Sequence, residues 1–270
     1  NITTPGVRVI DFKNSSVIER FRHRVFDEQG RQVAEMSGGI GSDEANPFFL
    51  RHGRELQLPP GRYKLVSRLD SSFFLAQPEP YLDTLASYRQ AIKLGNALVL
   101  VCLGVFLGLG AYYAVLAFVG GRIVHAMYAL FILGNLLYNS TALLVVRELF
   151  GVGAFYLRSG PILRSNIAYV LFVVTLLDLR ADSTPRLWAA SRVVLGALVV
   201  FLVVAALQPH WSMELCRYGV GLFLVFGLSA GIVQTLRGDP LAKWYLIANV
   251  GFFVSGVAAI SMLNLHGVYT

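Results

Sequence analysis

The chain is 270 residues long, 55% hydrophobic and only 14% charged, with a mean hydropathy of +0.59. A soluble domain usually carries about 25% charged residues, so a wholly water-soluble globule is excluded. The net charge of +7 is no nucleic-acid signature, because the excess falls in the apolar part, where Arg and Lys flank membrane spans and favour anionic headgroups.

Residues 1–93 hold 13 of the 23 Lys/Arg and 11 of the 16 Asp/Glu. They read as strands. "VRVIDF" (7–12) is a strand candidate, and "RHRVFDEQGRQVAEM" (22–36) is a hairpin turning at "DEQG". "RELQL" (54–58) and "RYKLVSRL" (62–69) flank "LPPG", a Pro-then-Gly turn, and predict a second hairpin. "SFFLA" (72–76) is a further strand candidate. Several short strands with turn signals predict a small, jelly-roll-like β-sandwich over residues 1–80. "YLDTLASYRQAIK" (81–93) places Leu82, Leu85, Tyr88 and Ile92 at helical spacing. It predicts a helical connector over 81–94, leading into the first span.

A membrane span takes about 20 mostly apolar residues to cross roughly 30 Å of hydrocarbon. Six stretches between 95 and 270 qualify: about 95–119, 123–146, 161–178, 187–207, 215–236 and 243–264. The loops between them are short, which makes successive helices antiparallel neighbours in one bundle. Basic residues do not orient the bundle. Arg122, Arg180, Arg186, Arg237 and Lys243 lie at one set of ends, and Lys93, Arg147, Arg158, Arg164 and Arg217 at the other. Gly104 and Gly108, and Gly227 and Gly231, have the spacing of close helix packing, with a dimer face as the rival reading. Cys102 and Cys216 read as small buried hydrophobes rather than a disulfide or metal pair.

Polar groups within spans are costly and often functional. Asn135, Asn139 and Asn166 are the candidates for a polar, ligand-binding cavity, with interhelical hydrogen bonds as the plainer role. In "MSGGIGSDEANP" (36–47), Asp43 and Glu44 are candidate cation ligands in a Gly-rich loop, but the spacing is not that of an EF-hand. Phe48, Phe49, Phe73 and Phe74 are candidate stacking surfaces for a sugar, with core packing as the plainer role. The five His are scattered, and neither H-E-x-x-H nor G-x-S-x-G occurs. Neither catalysis nor a metal or other cofactor is expected within this chain.

The order of parts resembles that of bacterial seven-transmembrane receptors with diverse intracellular signalling modules. The resemblance is carried by "LPPGRYKLVSRLDSSFFLAQPEPY", by a Gly-rich first span ending "AYYAVLAF", by "FVVTLLDLR" (172–180), and by "RGDPLAKWYLIANVG" leading to "LNLHGV". It implies an inner-membrane receptor in the bacterial cytoplasmic membrane, with the N-terminal domain in the periplasm or outside. That domain would sense a small molecule or a carbohydrate. The resemblance further implies a homodimer, and an effector (cyclic-dinucleotide synthesis or histidine phosphorylation) beyond a seventh span. Six spans are visible here, so the seventh and the effector are expected outside this chain. A small-molecule transporter or channel subunit with an exported β-domain is the alternative. It would call for broken helices, repeats or paired intramembrane charges.

Overall fold

The computed structural model describes residues 2–13, 17–72, 74, 78–153 and 159–264, except the side chains of 252, 253 and 255–264. The chain forms two compact units, residues 1–104 with 139–158, and residues 105–138 with 159–270.

Among the described residues the first unit holds six strands: β1 (Gly6–Phe12), β2 (Arg20–Phe26), β3 (Gln32–Gly38), β4 (Arg54–Leu58), β5 (Lys64–Asp70) and β6 (Pro80–Thr84). They form two three-stranded antiparallel sheets, ordered β4-β1-β6 and β3-β2-β5. Alternation decides the faces. Phe21, His23 and Val25 of β2 are buried while Arg20, Arg22 and Arg24 are exposed, and Leu56 and Leu58 of β4 are buried while Glu55 and Gln57 are exposed. The inward residues of both sheets meet. Ile10, Leu56 and Leu58 pack with Val25, Ala34 and Met36, and Phe12 packs with Ile18, Phe21 and Leu69.

The hairpin at "DEQG" forms as read. Asp27 Oδ1 accepts from the Gln29 and Arg31 amides at 3.0 and 2.8 Å, which closes the turn between β2 and β3. The hairpin expected across "LPPG" does not form. β4 pairs with β1 and β5 with β2, so the Pro59–Pro60 turn carries the chain from one sheet to the other. Two prolines lack the N–H groups that a continuing ladder needs. The expected strand at 72–76 lies largely outside the described residues. Residues 81–84, read as the start of a helix, instead belong to strand β6 on the free edge of β1. The helix begins one residue later, where Thr84 Oγ1 accepts from the Ser87 amide at 3.2 Å.

The helices are α1 (Leu85–Gly120), α2 (Ile123–Ala142), α3 (Val145–Phe150), α4 (Gly160–Leu176), α5 (Pro185–Leu207), α6 (Ser212–Leu236) and α7 (Pro240–Asn264), with a 3-10 turn at Pro209–Trp211. Among the described residues four helical segments are long and apolar enough to cross a membrane: α1, α2, α5 and 209–236. α4 is apolar but has 17 residues, and α7 has 25. The second expected span is shorter than read. α2 ends at Ala142, Leu144 adopts a left-handed backbone (φ 67°), and α3 restarts at Val145.

In the second unit, Tyr169, Val170 and Val173 of α4 pack with Leu198 of α5, Phe223 and Phe226 of α6, and Tyr245 of α7. The glycine pairs differ. A Cβ on Gly227 would lie 2.7 Å from the Tyr245 hydroxyl, so α6 and α7 are in intimate contact, whereas Gly104 and Gly108 face open space. Cys216 is buried, as expected, but Cys102 is exposed on α1. An apolar helix exposes such small groups freely when its surroundings are hydrocarbon.

Candidate functional site

The loop 39–53 between β3 and β4 is the best-organised polar feature of the first unit. It begins at Gly39, whose φ of +117° favours glycine, and a Cβ there would lie 2.4 Å from the Glu19 carbonyl. Three of the loop's carbonyls then converge on one cation. Arg147 of α3 donates to the carbonyls of Gly39, Ser42 and Glu44, the last two at 2.8 and 2.9 Å. Next to it, the Glu148 carboxylate accepts from Asn46 Nδ2 at 2.5 Å. Asn46 Oδ1 accepts from both terminal nitrogens of Arg54 at 3.3 Å, and Arg54 Nε donates to the Ser37 carbonyl at 2.6 Å. Arg54 is buried on β4 with its guanidinium 5.5 Å from the centre of the Phe21 ring, and desolvation by that burial lowers its pKa. A relay of side chains therefore runs from β4 through the loop to α3. The strained Leu144 immediately precedes it, fully buried at the break between α2 and α3.

The first turns of α1 hold the same loop at its other end. Tyr88 is fully buried, packs edge-on against Phe48 with ring centroids 4.9 Å apart, and donates to Asp11 Oδ2 of β1 at 2.5 Å. Asp11 Oδ1 accepts from the Phe12 amide at 2.8 Å. Burial pushes the Asp11 pKa up, against the lowering effect of these two hydrogen bonds. Asn96 donates to the Phe49 carbonyl at 2.8 Å, and a Cβ on Gly95 would meet Arg51 Nη2 at 2.8 Å. Helices α1 and α3 thus both grip the segment 39–55.

Asp43 is exposed, and the Glu44 carboxylate accepts from Ser37 Oγ. The carbonyls around them are directed at the Arg147 guanidinium. Among the described residues no three His, Cys, Asp or Glu are grouped to hold a metal. Phe48 is buried while Phe49 is 42% exposed, the in-and-out pair that adjacent residues produce, and Phe74 packs beside Phe12 and Phe21. Phe73 lies outside the described residues. His23 of β2 is fully buried against Phe12 and Phe21 and shares a 2.7 Å hydrogen bond with Ser67 Oγ. Desolvation, with a contribution from Arg54, lowers its pKa to about 4.

The three asparagines have different surroundings. Asn135 donates to Ser165 Oγ at 2.6 Å and to the Phe131 carbonyl at 2.8 Å, which joins α2 to α4. Asn166 is fully buried facing Gly219 of α6, with both amide atoms unpartnered among the described residues. Asn139 belongs to the first unit, in the last turn of α2, where its backbone carbonyl accepts from the Leu143 amide at 2.9 Å. A different polar group lies in the second unit. Tyr169 bonds Tyr245 at 2.9 Å and Asn249, on the wall of a cavity of about 510 Å³ that Arg122 and His125 also line. Sequence reasoning passed over these tyrosines, because aromatic rings in a span read as packing.

The model of one protein family, described as 7TM diverse intracellular signalling, matches residues 95–270. Neither a curated protein nor a solved structure matches the chain.

Proposed function

The chain belongs to the 7TM diverse intracellular signalling family, and on that premise we propose that it is the sensory and membrane part of a bacterial inner-membrane receptor. The two sheets form a small sandwich on the periplasmic side. α1, α2, α4, α5, α6 and α7 are six spans. The sandwich senses a small molecule or carbohydrate, and the bundle passes the signal to a cytoplasmic effector outside this chain, within a homodimer. We assign no catalysis to the chain itself.

The observation that carries this reading is the grip on residues 39–55. A ligand shifts a conformational equilibrium only by binding two states with different affinity. Ligand binding to the sheets changes the loop, and the loop is fastened to α1 through Phe48–Tyr88 and Asn96–Phe49 and to α3 through Arg147 and Glu148, while Asp11–Tyr88 ties β1 to the same helix. A change in sandwich packing therefore becomes a displacement of helix ends. α1 continues unbroken from Leu85 to Gly120, so a shift at its start is carried along one rigid rod.

The test uses spin labels at Asp182 and Ile123, on two inner turns, in the protein embedded in nanodiscs. Arg147→Ala and Tyr88→Phe each shift the distance distribution between the labels if sheet docking biases the bundle. An unchanged distribution for both overturns the coupling. A transporter is the rival reading, favoured by the cavity beside Tyr169 and Tyr245. Solute flux in proteoliposomes, abolished by filling that cavity with Ala248→Trp, would decide for it.

A further inference from the structure

The outward face of the β3-β2-β5 sheet carries an arrangement that folding alone does not favour. β2 places Arg20, Arg22 and Arg24 on that face at alternate positions, about 7 Å apart along the strand. β5 places Arg68 directly opposite Arg22. Like charges opposite each other on a ladder destabilise it. Compensation is incomplete. Glu35 is shared between Arg22 and Arg24 at 3.4 and 3.2 Å, Arg20 Nε donates to the Gly41 carbonyl at 3.3 Å, and Arg68 has no ion pair or hydrogen bond among the described residues. These four side chains line one depression of about 650 Å³.

We propose that this depression binds an acidic polysaccharide, one whose sugars bear carboxylates. The proposal rests on the receptor reading above and names the ligand class of its sensory unit. All four cations are Arg, whose planar fork pairs with carboxylates through two parallel hydrogen bonds, where Lys offers a point charge. Their spacing along an extended strand suits an extended chain with anions at regular intervals. Two carboxylates, Asp43 and Asp70, share the depression. They accept hydrogen bonds from sugar hydroxyls, donors that a polyphosphate does not offer. Val66, 43% exposed, gives an apolar patch for a sugar's C–H face. Among the described residues Phe21 is the one aromatic on the lining, and it is buried. Nucleic-acid bases therefore have no ring to stack on. The concavity also suits a single chain better than the plane of a lipid surface.

The test is titration of the whole chain, in nanodiscs of uncharged lipid, with oligogalacturonate, with neutral maltohexaose and with inorganic polyphosphate. Oligogalacturonate binds, weakens as salt screens the charges, and loses roughly tenfold in affinity for each guanidinium removed in Arg22→Gln and Arg68→Gln. Maltohexaose does not compete, and Arg8→Gln on the other sheet leaves affinity unchanged. The variants relieve a like-charge pair, so their β-sheet circular dichroism and melting temperature match or exceed those of the parent. Should either variant fail to fold, Arg20→Gln gives the same readout. Absence of oligogalacturonate binding, unchanged affinity in the variants, or equal affinity for polyphosphate overturns the proposal. No signalling output enters the measurement. A failure here therefore removes the ligand class, and the spin-label experiment alone decides the coupling.

Discussion

Tyr88→Phe removes one oxygen from a site where every neighbour is packed. The Tyr88 hydroxyl donates to Asp11 Oδ2 at 2.5 Å, and the Phe12 amide supplies a second hydrogen bond to this carboxylate. Hydrogen bonds to charged groups contribute about 1.5–3 kcal/mol, which is roughly a tenfold to hundredfold change in an opening equilibrium. The cost depends on pH. Burial already raises the Asp11 pKa, and the Tyr88 hydroxyl is the largest influence holding it down. Without that hydroxyl the folded-state pKa rises further while the unfolded value stays the same. The stability lost is therefore greatest at high pH, where Asp11 must ionise unaided, and shrinks as the acid protonates. Hydrogen exchange of the Ile10 and Asp11 amides, taken as the variant-to-parent ratio at each pH, isolates the effect. The ratio should be at least tenfold at pH 8 and smaller at pH 5, and the pH dependence should vanish when Asp11→Asn is added. A ratio near one, or one that grows on acidification, would refute the reasoning.

Arg147→Ala leaves three loop carbonyls without their donor, so residues 39–46 should become protease-sensitive, and Arg147→Lys, lacking the fork, should recover only part of the protection. His23 has a folded pKa of about 4 against 6.5 unfolded, so the unfolded chain binds more protons between these values. Its contribution is fully present above pH 6.5 and lost as the pH falls toward 4, at up to about 1.4 kcal/mol per pH unit. Melting of the parent and of His23→Gln across this range should diverge in slope, and the opposing contribution of Asp11 cancels in the difference. Gly39→Ala meets both an unfavourable φ and the Glu19 carbonyl and should lower stability by roughly 1–3 kcal/mol, whereas Gly104→Ala, facing open space, should be tolerated in the same thermal melts.

What could be read from the residues was what depends on neighbours in sequence. Apolar runs long enough to span a bilayer announced α1, α5 and α6, and "DEQG" announced the β2–β3 turn because Asp27 closes it locally. Period-two alternation tells which face of a strand is buried but not which strand lies beside it, so "RELQL" and "RYKLVSRL" looked like partners when they belong to different sheets. Leu85, Tyr88 and Ile92 are truly helical, and their spacing extended the helical reading back over β6. Arg147 looked like a headgroup anchor at a span end. Its role depends on carbonyls more than 100 positions earlier, which no local pattern contains. Asn135 was legible as an interhelical hydrogen bond, while the burial of Asn166 against Gly219 depends on a helix rotation that sequence does not specify.

The central claim is that the sheets face outward and the helices carry their state across the membrane. Single cysteines at Gln29, in the β2–β3 turn, and at Ser183, in the turn before α5, test it most directly in a background lacking Cys102 and Cys216. In intact cells a membrane-impermeant thiol reagent should label Gln29→Cys and should reach Ser183→Cys only after permeabilisation. Labelling of Ser183→Cys in intact cells with Gln29→Cys protected would put the sheets in the cytoplasm and contradict the receptor account.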